Sequence, residues 1–135
     1  MGCEVGRRIT GRVFSDLGRG ASFMRLDWVQ KALRKILGFS PYPGTLNLRL
    51  ETEQAVATWR EIREEVQGIE VAAPEPSFCR ARCFPVEIEG RVRGAAILPE
   101  VEGYPADKLE VVASVRLKDE LRLADGGRVT IEFRD

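Results

Sequence analysis

The sequence predicts a mainly β protein with inserted helices, folded as a small closed six-stranded barrel. Three observations carry this expectation. About six short stretches alternate apolar and polar residues at strand period. Helical periodicity is confined to two early segments, 24–37 and 53–66. From residue 78 onward the chain reads almost wholly as strand and turn, whereas a parallel α/β sheet requires strand and helix to alternate throughout. At 135 residues, such a chain buries roughly two-thirds of its unfolded surface, enough for a core of its own.

Each element follows from its pattern. In RRITGRVF, residues 7–14, Ile9, Gly11 and Val13 share one face, which predicts a first strand. SDLGRGAS follows as a loop of small residues. Leu26, Val29, Leu33, Ile36 and Leu37 then recur at helical spacing. Gly38 is placed to end that helix in a left-handed cap, and Pro41 and Pro43 prevent its resumption. GTLNLRL, residues 44–50, sets Leu46, Leu48 and Leu50 on one face of a strand and Thr45, Asn47 and Arg49 on the other. Thr52 is the expected N-cap of a second helix, with Val56, Trp59, Ile62 and Val66 on its apolar stripe and Gly68 closing it. IEVAAPEP supplies a short edge strand stopped by Pro74 and Pro76. Two long strands joined at Glu89-Gly90 come next, then KLEVVAS, one or two short helical turns in RLKDELRL, a turn at ADGG and a closing strand RVTIEF.

Composition narrows the chemistry. The chain has no histidine, which excludes Ser-His-Asp and Cys-His catalysis and histidine-ligated zinc. Twenty-one basic and 21 acidic side chains cancel, so a polybasic nucleic-acid tail is not expected. The neutrality hides an asymmetry. Residues 1–50 carry nine basic and three acidic groups, a balance of +6, and residues 51–135 carry 12 and 18, a balance of −6. Two readings fit: a mutually neutralising surface, or a basic site for an anionic ligand in the first half. The three cysteines, Cys3, Cys79 and Cys83, form no disulfide framework. Cys79 and Cys83 lie four residues apart in a predicted strand, ~13 Å, beyond the ~7 Å that a bridge spans. No run of 18 apolar residues occurs and the first residues lack a signal peptide's regions, so a cytoplasmic protein that does not enter the membrane is expected.

Three places carry candidate chemistry. Leu17, Gly18, Arg19, Gly20, Ala21 and Ser22 form a glycine loop between strand and helix. It is either a tight turn or a cradle whose N–H groups approach an anion. Thr45 and Asn47 project side by side from one strand face. They are either a solvent-facing polar pair, or neutral oxygen donors suited to Mg²⁺ already shared with phosphate. From Pro99 to Lys118, the carboxylates Glu102, Asp107 and Glu110 precede the cations Arg116 and Lys118. They are either surface charge, or groups that bind a polyol and hold phosphates.

In this order the segments resemble a known family. V-x-S-x-LGxG at 13–20, LGFSPYPGTLNLRL at 37–50, CFPVEIEGRVRGAAILPE at 83–100 and YPADKLEVVASVRLKDELRLADGGRVTIEF at 104–133 are similar to the archaeal-type CTP-dependent riboflavin kinases, cradle-loop β-barrels. The resemblance covers nearly the whole chain. It implies one barrel domain over 1–135, with a core of about 7–134 and no N-terminal winged-helix domain. It also implies transfer of the CTP γ-phosphate to the riboflavin 5′-hydroxyl, giving FMN and CDP with Mg²⁺. On this basis Leu17 to Ser22 wrap the nucleotide phosphates, and Val115, Arg116, Leu117 and Lys118 form the second nucleotide segment. Thr45 and Asn47 take the metal, and Glu110 contacts the flavin and serves the transfer. Four positions depart from the family pattern. Arg19 replaces an acidic residue and Glu102 a flavin-contacting threonine, while Ser114 and Gly127 replace a proline and an aspartate. Two other functions stay open: a barrel of the same family that binds nucleotide or flavin without kinase activity or with another acceptor, and a regulatory or interaction barrel.

Overall fold

The computed structural model describes residues 7–15, 24–71 and 81–134. The expected glycine loop, Leu17 to Ser22, and Cys3 and Cys79 lie outside the described residues. Seven strands occur among those described: β1 (Arg7–Phe14), β2 (Leu46–Arg49), β3 (Ile69–Val71), β4 (Ala81–Ile88), β5 (Val92–Pro99), β6 (Lys108–Ala113) and β7 (Arg128–Phe133). Three helices accompany them: α1 (Asp27–Leu37), α2 (Glu53–Glu65) and α3 (Leu117–Glu120). The sheet runs β3-β4-β5-β6-β2-β1-β7, and β7 pairs back onto β4. Six antiparallel strands therefore close a barrel, and β3 extends it as the short edge strand that IEV predicted.

Alternation along each strand sorts side chains into two cores. Ile9, Val13, Leu46, Leu48, Val129, Ile131 and Phe133 point into the barrel. Helix α2 closes one end, with Trp59 fully buried and its ring 5.6 Å from both Phe84 and Phe133. Thr52 caps the helix as expected, its hydroxyl accepting the Ala55 N–H at 3.0 Å. Gly68, however, does not close it. The last residue is Glu65 with an extended Val66 behind it, and the Arg82 guanidinium donates to the carbonyls of Arg63, Val66 and Gln67 instead. A side chain from a neighbouring strand thus satisfies carbonyls that a helix end leaves without partners.

The second core lies outside the barrel wall, where Val29 and Leu33 of α1 cover Cys83, Ala95, Ile97 and Val112. Helix α1 begins at Asp27 rather than Met24, because Leu26 before it is extended, and it ends as expected on left-handed Gly38 (φ 81°). The β4–β5 turn also matches: Glu89 and Gly90 both have positive φ, the twist that a two-stranded ribbon favours. Strand β2 is shorter than its pattern, and Pro41 and Pro43, which lack an N–H, precede it.

Cys83 is a free, buried thiol, and burial pushes its pKa up from 9.0 to about 11. The unfolded thiol ionises at lower pH than the folded one. Its contribution to stability is therefore complete below about pH 9 and is lost as pH rises toward 11. Melting temperature is expected to fall through that window, and Cys83→Ala to flatten the fall. Parallel curves for the two proteins would contradict this.

Candidate active site

Because Leu46, Leu48 and Leu50 point inward, Thr45, Asn47 and Arg49 face the outer wall. Strand pairing sets Phe14 of β1 and Glu110 of β6 opposite Asn47, with Ile97 of β5 beyond Glu110. The outer wall thus carries the row Phe14–Asn47–Glu110–Ile97. Outward direction here does not mean exposure: Asn47 is 8% exposed and Glu110 5%. Asn47 is therefore not solvent-facing, and Thr45 beside it is half-buried. The Thr45 Oγ1 and Asn47 Oδ1 atoms lie 3.5 Å apart, with the hydroxyl donating to the amide oxygen.

These two side chains sit in a cleft of about 250 Å³. Its other walls include Phe14, Ser15, Arg25, Tyr42 and the whole segment Val115, Arg116, Leu117 and Lys118. Four elements build it. Tyr42 is anchored by its N–H to the Ala113 carbonyl at the end of β6 (2.7 Å), which brings the Pro-Tyr-Pro-Gly segment against α3. The turn before β7 is tied to β1 by Val13 N–H to Gly127 O and Gly126 N–H to Val13 O. That turn presents Asp125, whose carboxylate accepts from Ser15 Oγ at 2.9 Å and from Lys118 Nζ at 3.3 Å. Lys118 also donates to Ser15 Oγ at 3.2 Å, so its ammonium is held at the cleft edge. Arg116 is paired with Asp119 at 2.7 Å on an exposed surface, an interaction weak enough to exchange for a better anion.

Two of the expected residues do not line this cleft. Glu110 stands opposite Asn47, but its Oε2 accepts from the Tyr104 hydroxyl at 2.5 Å and lies 3.9 Å from Lys108 Nζ. Glu102 is exposed on the turn after β5 and does not line the cleft, and Tyr104 of the same loop reaches Glu110. Sequence reasoning passed over Tyr104, Ser15 and Asp125 as site residues. All three lie in segments already singled out, but only the folded chain brings Ser15 to Asp125 and the Tyr104 hydroxyl to Glu110. Among the described residues no helix is long and apolar enough to cross a membrane.

Fold and cleft together define a closed β-barrel with a polar, cationic recess on its outer wall, beside two adjacent neutral oxygens. The family model for CTP-dependent riboflavin kinases, described as a domain of unknown function (DUF120), matches residues 13–133, and the chain belongs to that family. Among named relatives, a riboflavin kinase of Aeropyrum pernix is 38% identical over 138 residues, covering 100% of this chain and 99% of its own. Riboflavin kinases of Archaeoglobus fulgidus and Pyrobaculum aerophilum are 38% and 36% identical over 93% of this chain. The chain spans little more than half of those two, 54% and 60% of their lengths.

Proposed function

We propose that this chain is a CTP-dependent riboflavin kinase, moving the γ-phosphate of CTP to the riboflavin 5′-hydroxyl to give FMN and CDP in the cytoplasm. Support comes first from family membership and from relatives named riboflavin kinase. The observation that carries the reading is convergence: Thr45, Asn47, Arg116 and Lys118 share one cleft, and Glu110 stands across from Asn47 on the adjoining strand. Phosphoryl transfer asks little covalent help of a protein and depends on positioning and charge neutralisation. A site without histidine is suited to it.

Thr45 and Asn47, with two neutral oxygens 3.5 Å apart, are the residues that would hold magnesium shared with phosphate. Among the described residues no three His, Cys, Asp or Glu side chains gather to hold a metal, so phosphate and water would complete the shell. Mg²⁺ bound there would neutralise charge on the transferring phosphate. The protein's own residues do the rest. Arg116 and Lys118 turn from Asp119 and Asp125 toward the nucleotide phosphates. Glu110, its Oε2 fixed by Tyr104, offers Oε1 to the ribityl chain and orients the attacking hydroxyl.

The test is incubation with riboflavin, Mg²⁺ and each nucleoside triphosphate in turn, followed by separation of flavins. FMN is expected with CTP and not with ATP. Binding of CTP or riboflavin without FMN would instead assign the chain to a non-transferring barrel of the family, and equal use of ATP would overturn the donor assignment.

A further inference from the structure

The positive excess of the first half of the chain is only partly absorbed by the cleft. Arg8, Arg12 and Arg49 of that half lie on the outer wall of β1 and β2, beside Arg128 of β7. Outward positions of β1 face β7 in three pairs. Arg8 opposes Glu132 and bonds it at 3.3 Å, and Thr10 opposes Thr130 with hydroxyls 2.8 Å apart. The third pair breaks this complementarity: Arg12 opposes Arg128. On its other side Arg12 opposes Arg49 of β2. Three arginines therefore stand directly opposite one another on three adjacent strands, at the ~4.8 Å strand interval. Like charges so placed repel.

A groove of about 470 Å³ opens over this row, walled by Arg8, Arg12, Arg49 and Arg128 and by the side of α2 that carries Thr52 and Thr58. Among the described residues Glu51 is the one carboxylate on its lining, bonded to Arg12 at 2.5 Å. Arg49 reaches Asp107 at 3.5 Å across an exposed surface. Such solvent-exposed pairs contribute little and exchange readily. Among the described residues the groove shares no lining residue with the cleft, although its Arg49 lies over the ring of Phe14 in the cleft wall at 4.6 Å.

We propose that this arginine row is a second anion site that takes a compact, multiply charged phosphate ligand. Its size suits a small molecule. Guanidinium groups set side by side match successive phosphoryl groups, and the Thr52 hydroxyl, which accepts from the Ala55 N–H, has its own proton to donate. Among the described residues the lining contains no aromatic side chain on which bases would stack, which argues for a short oligophosphate over a single-stranded nucleic acid. The proposal does not rest on the kinase reading.

Inorganic tripolyphosphate titrated into isotopically labelled protein, followed by amide chemical shifts, is the test. Saturable shifts are expected at Arg12, Arg49 and Arg128, weakening as salt rises. R128E, which sets a carboxylate opposite Arg12, should weaken binding there by roughly tenfold or more. It should melt no lower than the parent without ligand, because a repulsive pair has been replaced by an attractive one. Arg128→Gln provides the same comparison without the added charge. Tighter binding of CTP than of tripolyphosphate at the row would identify a nucleotide as the source, and equal binding an inorganic one; both support the site. Absence of shifts at the row, unchanged affinity in both variants, or tighter binding of a thymidine oligonucleotide than of tripolyphosphate would each overturn it.

Discussion

Asn47→Ala is expected to reduce FMN formation by about 10²–10³-fold, the scale on which removal of one preorganised electrostatic partner acts, while leaving the barrel folded. Asn47 lies on the outer face of β2, and the inward face of that strand belongs to Leu46 and Leu48. Its amide oxygen is met by Thr45 at 3.5 Å and plays no part in the hydrophobic interior. Truncation therefore removes one donor of the proposed ion site and little packing. The loss should appear mainly in kcat, with riboflavin affinity retained, because the acceptor side depends on Glu110. Thermal melts within a few degrees of the parent would show that the fold survives. Parent-like FMN production would remove Asn47 from the ion site.

Trp59→Ala is expected to cost about 3–5 kcal/mol, the range for truncating a fully buried aromatic residue. Trp59 closes the end of the barrel against Phe84 and Phe133, both 5.6 Å away, and Phe84 and Phe133 are themselves buried. Nothing on α2 replaces it, since Ile62 is already packed in the same core. Against a total stability of about 5–15 kcal/mol, this is a large fraction, equivalent to a drop of roughly 10–15 °C in melting temperature for a chain of this size. Chemical denaturation would measure it. A change below about 1 kcal/mol would show that the barrel end collapses around the cavity.

The fold was legible because this barrel obeys simple alternation. Leu46, Leu48 and Leu50 on one side of β2, and Val129, Ile131 and Phe133 on one side of β7, mark the interior without help from tertiary context. What alternation cannot say is how the other side is covered. Asn47 and Glu110 read as outward-facing polar residues, which they are, yet both are buried, because the segments around Tyr42 and Tyr104 fold back over that wall. The end of α2 was misread for a related reason. Glycine is a local signal, whereas the carbonyls are satisfied by Arg82, a residue of β4 far along the chain. Glu102 was singled out by its departure from a family pattern, but the neighbour that meets the site is Tyr104. The arginine row was invisible as a row, since it depends on strand register and not on spacing along the chain.

On the proposed function, Thr45 and Asn47 hold a divalent ion against a cytidine nucleotide in the cleft walled by Val115 to Lys118. Crystals grown with a non-hydrolysable CTP analogue and Mn²⁺, measured for anomalous scattering, test it most directly. The account predicts one strong peak about 2.1 Å from both the Thr45 hydroxyl and the Asn47 amide oxygen, touching phosphate oxygens. An ion bound to phosphate but remote from both side chains, or a nucleotide seated outside this cleft, would contradict it.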